Sequence, residues 1–364
     1  MTKSNSLYIH IPFCTHICTY CDFPKVNYTS VFSFPYLKAL KNELESYPKQ
    51  DYKTIYVGGG TPTSLSIEEL KFLLELIKPY AKNVKEYTFE ANPESLTLEK
   101  AKLLGSYGVN RISLGVQTTD SKILEAINRH HNLDDVKLAL SNALDSGIDN
   151  LNVDLILGLP HSDLTTLKRD LDIVLSFPIK HLSAYSLSVN PHTALGISGY
   201  QNKSDDVMRE YYDYLHARML EAGFVHYEVS NFAKPGFQSQ HNQTYWKDEH
   251  YLGVGLGAAS YIDNKRYKNT SSITEYIKGN YNRDVEIVSL KDDMTYFIML
   301  NLRTNHGIDL DLFKTRFNFD LLTKKEKEIK NLILNNLLFL DDNHLIATYE
   351  GMMLLDDIIL KMME

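Results

Sequence analysis

Leu7-Tyr8-Ile9-His10-Ile11-Pro12-Phe13-Cys14-Thr15-His16-Ile17-Cys18-Thr19-Tyr20-Cys21 begins as an apolar run and ends in three thiols. The run from Leu7 to Phe13 reads as a strand. Cys14, Cys18 and Cys21 follow it at once in a Cys-x3-Cys-x2-Cys spacing, and the chain holds just 3 cysteines. An odd, tightly clustered set in a chain of 364 residues is no disulfide framework. Loops this short bring thiols together around a metal. Thiolates bind iron–sulfur clusters or zinc. A four-iron cluster takes four ligands, so three cysteines leave one iron open. Zinc is the rival, with His10 or His16 as fourth ligand. Structural zinc sites usually draw paired ligands from two separated segments, and this sequence has no second knuckle.

Outward from this stretch, apolar runs alternate with segments of helical period. Strands are predicted at Leu7 to Phe13, Thr54 to Val57, Tyr87 to Ala91, Arg111 to Val116, Leu151 to Leu157 and His181 to Val189. Helices are predicted at Pro35 to Tyr47, Ser66 to Tyr80, Thr97 to Tyr107, Ser121 to Ile127 with Leu133 to Ser146, and Leu164 to Ser176. Ser66 followed by Glu69 is a capping-box pattern, and Gly108 and Gly147 sit where left-handed C-caps are expected. Successive βα units with near-continuous apolar strands imply a parallel sheet covered by helices. Eight units would close a TIM barrel of about 250 residues. Here the alternation stops near residue 190, so the α/β fold expected is a partial, TIM-like (β/α)6 barrel, with a doubly wound sheet as the alternative. Either gathers ligands at the C-terminal ends of its strands.

Beyond residue 200 the pattern changes. A helix from Asp205 to Ala222 precedes a Tyr-, His- and Asn-rich stretch through Tyr251, then Gly253-Val254-Gly255-Leu256-Gly257 and short mixed elements. From Lys291 the chain reads as mainly helical, with Asp341-Asp342-Asn343-His344 turning between two strand-like pieces. The organisation expected is a partial barrel over 1–200, an α+β extension over 201–284 and a small winged-helix-like domain over 285–364.

Hydrophobic residues make up 43% and charged residues 23% of the chain, which excludes general disorder. A net charge of −8 without like-charge blocks argues against an electrostatic grip on nucleic acid or an anionic membrane. No run of 18 apolar residues exists, so no spanning helix is expected. Met1-Thr2-Lys3-Ser4-Asn5-Ser6 leads into an apolar stretch broken by His10 and Pro12, unlike a signal peptide. A soluble cytoplasmic protein is expected.

Two further features stand at strand ends. Gly58-Gly59-Gly60-Thr61-Pro62-Thr63 lets backbone approach a ligand closely, and it is neither a phosphate loop nor a dinucleotide fingerprint. Glu90, Gln117 and Asp154 are polar residues in otherwise apolar strands, and Arg129 follows near a helix end. A carboxylate inside a parallel strand is costly unless paired or bound to ligand, so a structural ion-pair network and a binding site stand equal here.

Together these residues resemble the radical S-adenosylmethionine (SAM) superfamily, and within it the branch of oxygen-independent coproporphyrinogen III oxidase and the haem chaperone HemW. Tyr8 to Cys14, Gly58 to Pro62, Glu90 to Pro93, Gly115 to Gln117 and Val153 to Pro160 carry the likeness, with the terminal domain. The resemblance implies a [4Fe–4S] cluster on Cys14, Cys18 and Cys21. Its fourth iron would be chelated by the amino and carboxylate groups of SAM, and one electron would cleave SAM to methionine and a 5′-deoxyadenosyl radical. It places Tyr8, Gly59, Gly60, Thr61, Glu90, Gln117, Arg129 and Asp154 around SAM. An electron donor such as a flavodoxin or ferredoxin is implied with them.

The oxidases add a fourth cysteine two residues beyond the third, beside a second SAM, and a longer segment before the first. Here Phe23 takes that position and 13 residues precede Cys14, as in the chaperone branch. His241-Asn242-Gln243-Thr244-Tyr245-Trp246 matches the chaperones' His-Asn-x-x-Tyr-Trp signature. It implies b-type haem (iron protoporphyrin) near His241, Tyr245 and Trp246, since haem iron accepts imidazole and a flat macrocycle suits aromatic walls. The alternative is that His241 and Asn242 bond a loop while Tyr245 and Trp246 fill an interface; His226 and His250 are further candidate ligands. The function expected is a haem chaperone serving an acceptor protein, with peripheral membrane contact compatible. The other readings are decarboxylation of coproporphyrinogen III propionates and a radical SAM enzyme with an unrecognised substrate.

Overall fold

A computed structural model describes residues 4–281 and 284–363. The reading of the N-terminus therefore falls in part, at residues 1–3, outside the described residues. Six strands lie side by side in chain order and parallel: β1 (Ser6–Ile11), β2 (Thr54–Gly59), β3 (Glu86–Ala91), β4 (Arg111–Gln117), β5 (Asn150–Leu157) and β6 (His181–Ser186). Helices Ser30–Glu45, Ile67–Ile77, Leu98–Ser106, Ser121–Ala126 with Leu133–Leu144, and Leu164–Leu175 return the chain between them. One face of each strand is apolar: Leu7, Ile9, Ile55, Val57, Phe89, Leu114, Val153 and Leu182 are buried in a single core against these helices. The other face is polar, with Ser6, Thr54, Glu86, Arg111, Asn152 and His181 buried at the strands' N-terminal ends. This two-faced alternation gives an open (β/α)6 barrel with a polar lumen.

The capping box forms, with the Glu69 backbone N–H donating to Ser66 Oγ and the Ser66 N–H to Glu69 Oε2. Gly108 and Gly147 take φ of +85° and +80° just past their helices.

Residues 201–284 do not stand apart from the barrel as a separate layer. Asn231–Ala233 pairs antiparallel with β6 and carries Val225–Glu228 beyond it. At the opposite edge Tyr251–Val254 pairs parallel with β1, a seventh parallel strand that a four-residue, glycine-bounded segment did not announce. Strands Ala259–Ile262, Lys265–Lys268 and Asp284–Ile287 continue from it, antiparallel. From Leu290 the chain builds its own core around Phe297, Leu302, Phe313, Leu332, Leu345 and Ile358. A three-stranded sheet of Ile308–Asp309, His344–Ala347 and Leu338–Asp341 lies among its helices, the winged-helix-like arrangement expected. Among the described residues no helix is long and apolar enough to cross a membrane.

One buried carboxylate ties the extension to the barrel. Glu43, on the first helix, accepts from the Gly255 N–H at 2.8 Å, Asn269 Nδ2 at 2.7 Å and the Tyr276 hydroxyl at 2.6 Å. Glu43→Ala strips the acceptor from three buried donors, and a loss of about 3 kcal/mol is expected. Chemical unfolding of the two proteins measures it; an unchanged midpoint would refute the role.

Candidate cofactor site at the mouth of the barrel

The C-terminal ends of β1 to β6 surround a cavity of about 410 Å³. Cys14, Cys18 and Cys21 all line it, and all three are free thiols. Backbone bonds hold their loop: Val26 N–H to the Pro12 carbonyl, Tyr28 N–H to the Cys14 carbonyl, and Thr19 N–H to the Ile127 carbonyl. Cys14 is buried, and burial pushes its thiol up to about 12, against a hydrogen bond from Thr61. Burial raises Cys21 as well. Such thiols ionise when a metal takes the proton's place.

The donor set separates the two metal readings. Both nitrogens of His10 are engaged, Nδ1 with the Tyr8 hydroxyl at 3.0 Å and Nε2 with the Pro24 carbonyl at 2.8 Å, so His10 is no zinc ligand. His16 packs against the His130 ring with centroids 4.0 Å apart. Among the described residues no three His, Cys, Asp or Glu side chains converge closely enough to hold one metal ion. Thiolates that each bind a different iron of one cluster stand farther apart than ligands of one ion, so the loop fits a cluster better than zinc.

The remaining wall is polar. Tyr56 donates to Glu90 Oε1 at 2.8 Å and the Gly59 N–H to Oε2 at 2.9 Å. Asp154 accepts from Ser113 at 3.1 Å and Asn152 at 2.7 Å. Arg129 donates to Asn92 at 2.9 Å and to the Gly115 carbonyl, and points Nη1 at Cys18 Sγ. Its buried Nε has no partner, an unspent donor suited to an anionic group in the cavity. Gln117 closes β4 at a bulge with φ of +68°, a conformation that non-glycine residues adopt under constraint. The glycine triplet also serves the protein itself. A Cβ on Gly58 would stand 2.7 Å from the Glu90 carboxyl, and one on Gly60 2.9 Å from Cys14 Sγ.

Residues 8–173 match the radical SAM superfamily model, and residues 288–354 the HemN C-terminal domain. The chain is 36% identical to the haem chaperone HemW of Lactococcus lactis, over 96% of this chain and 95% of that protein. To the haem chaperone HemW of Bacillus subtilis it is 37% identical, over 96% of each. It belongs to the HemW family. Among solved structures, Escherichia coli coproporphyrinogen III oxidase (HemN), a radical SAM enzyme, superposes with a TM-score of 0.86 at 22% identity. The match covers 98% of this chain and 89% of that one, and it shows the shared fold.

Within this HemW-family barrel, Tyr8 and His241 have partners that the sequence did not announce. The Tyr8 hydroxyl bonds His10, and its ring stands beside that of Tyr56, which lines the cavity from the next strand. The helix Gln240–Trp246, with its His-Asn-x-x-Tyr-Trp signature, lies at the opposite end of the barrel from the cysteines. Its N-terminus docks on Glu86 at the start of β3, which accepts from the backbone of Gln240 and His241 at 2.9 Å each. His241 bonds Thr54 through Nδ1 and Tyr245 through Nε2, both at 2.9 Å, and burial lowers its pKa to about 3. Both ring nitrogens are thus engaged within the protein, and Tyr245 packs edge-on against Tyr251.

Tyr56, Asn92, Ser113 and Tyr185 line the cavity without having been singled out. For Ser113 the signal was there in strand register, which sets it opposite Glu90.

Burial raises the Glu90 carboxyl from 4.5 to about 7 despite its two donors. The folded chain thus holds a proton that the unfolded chain releases near 4.5, so this group's contribution to stability is full below that pH and lost as pH rises through 7. Glu90→Gln keeps the shape and removes the titration. The melting temperature of the metal-free variant should gain on that of the parent between pH 5 and pH 8, by differential scanning fluorimetry; parallel profiles would refute it.

Proposed function

We propose that this chain binds haem and delivers it to an acceptor protein, and that Cys14, Cys18 and Cys21 hold a [4Fe–4S] cluster whose open iron takes SAM. The observation that carries the reading is likeness over 96% of the chain to proteins named haem chaperone HemW, joined to three free thiols on one cavity. When bound, the cluster and SAM supply one-electron cleavage of a sulfonium C–S bond. Arg129 offers the SAM carboxylate a buried guanidinium with an unspent N–H. Glu90 and Asp154 offer acceptors to ribose hydroxyls or the ammonium, with Gln117 beside them. Gly59, Gly60 and Thr61 form the wall against Cys14, and Tyr8 acts at one remove by holding His10. Phe23, 65% exposed on the cavity rim, puts an apolar ring where the oxidases carry a cysteine.

Three clustered cysteines in a metal-binding spacing, unlike a disulfide framework, support a cytoplasmic site of action. There a flavodoxin- or ferredoxin-like donor would supply the electron. The acceptor is a haem protein, reached in solution or at a membrane surface.

For the haem itself, the engaged nitrogens of His241 favour another axial ligand. His226 is engaged too, with His216 at 3.1 Å and the Val229 carbonyl at 3.3 Å. His250 stands edge-on to Tyr261, half-buried, and its ring nitrogens make no hydrogen bond among the described residues. Haem titration should give a Soret band that His250→Ala shifts and His241→Ala leaves in place. The reverse pattern would return the ligand to His241.

Anaerobic reconstitution should load about four irons per chain, lost on Cys14→Ala, Cys18→Ala or Cys21→Ala. The same preparation, reduced and supplied with SAM and coproporphyrinogen III, should form no protoporphyrinogen IX, measured by chromatography after oxidation. Decarboxylation at enzymatic rates would overturn the chaperone reading.

A further inference from the structure

His241 sits at the far end of the barrel from the cavity, yet one strand joins the two. Thr54 and Tyr56 are two residues apart on β2 and so share its inward face. The imidazole bonds the first through Nδ1 and packs its ring on the second, with centroids 5.2 Å apart. Tyr56 then donates its hydroxyl to Glu90 Oε1 at 2.8 Å.

The imidazole is itself held on every side. Glu86 accepts from its own backbone N–H, Tyr245 meets Nε2, and the Thr54 hydroxyl continues to Ser6 at 2.7 Å and from there to Thr244 at 2.6 Å. Such closed polar networks have one low-energy arrangement, so the ring is a fixed stop and not a loose filler. Glu90 has two donors at the cavity. The Gly59 N–H alone would leave the carboxyl free to swing about that bond; the second, from Tyr56, sets its plane.

We infer that His241 is a positioning residue for the cavity: by seating the Tyr56 ring it fixes the Glu90 carboxyl, so the helix Gln240–Trp246 shapes a site at the other end of the barrel. This rests on the reading that Glu90 meets SAM. It gives the His-Asn-x-x-Tyr-Trp motif a task in SAM binding where the motif would otherwise be assigned to haem.

A double-mutant cycle on SAM affinity tests it. Anaerobically reconstituted, reduced protein is titrated with SAM, and the change in the cluster's EPR spectrum is followed for the parent, His241→Ala, Tyr56→Phe and the double variant. Each single change should weaken SAM binding about tenfold, and the double variant no more than the weaker single. His241→Gln, which still offers a donor and an acceptor, should recover part of the loss. Glu43→Gln is the control for general loosening: it weakens a distant buried tie and should leave SAM affinity as it was. Unchanged affinity in His241→Ala, additive losses, or an equal loss in Glu43→Gln at a matched melting temperature would each overturn the inference. Should His241→Ala fail to fold, Thr54→Val takes its place and frees Nδ1. No spectral change with SAM in the parent would instead remove the reading of the cavity, and the inference with it.

Discussion

A parallel barrel that is left open has to satisfy two solvents with one strand. The outward face of each strand meets helices and is apolar; the inward face meets a lumen too narrow for bulk water and is polar. Every buried polar atom in that lumen needs a partner, and each that lacks one loses on the order of 1–3 kcal/mol. Here the demand is met by a column of side chains from Ser6, Thr54, Asn152 and His181 at the base to Glu90 and Asp154 at the mouth. Arg111, 2% exposed and with Nε unpartnered, lies among them and supplies positive charge against the two carboxyls.

The two ends of the column are treated differently. The base is stoppered by the helix Gln240–Trp246, whose first amides rest on Glu86. The mouth stays open, and the groups left without full partners gather there: Arg129 Nε, the raised carboxyls of Glu90 and Asp154, and three thiols on one short loop. Cofactor binding in such a fold completes hydrogen bonding that the protein leaves unfinished at the mouth. The same logic explains the glycines at the end of β2, where side-chain volume would collide with Glu90 and Cys14 before it reached any ligand.

The extension and the terminal domain are fastened by buried charge. Glu43 binds the loop after the seventh parallel strand. Asp248, just past the stopper helix, receives Arg266 at 2.6 Å and Arg316 at 2.7 Å, and Arg316 also bonds Asp293. The terminal domain thereby grips the residue that ends the stopper. Charges so enclosed keep their partners because separation would strand them.

By itself the sequence determined the six βα units, their caps and the cysteine loop, because these depend on local period and on thiol spacing over eight residues or fewer. It also marked Glu90, Gln117 and Asp154 as out of place in apolar strands, which is a local anomaly. Tertiary structure alone decided which way the neighbouring polar residues worked. Tyr8 and Tyr56 read alike in sequence and are register partners on β1 and β2, but their hydroxyls part, Tyr56 to Glu90 and Tyr8 to His10. The seventh parallel strand and the location of His241 were equally hidden. Strand pairing and helix docking join residues 245 and 187 positions apart, and no local pattern records which end of a barrel a distant helix will close.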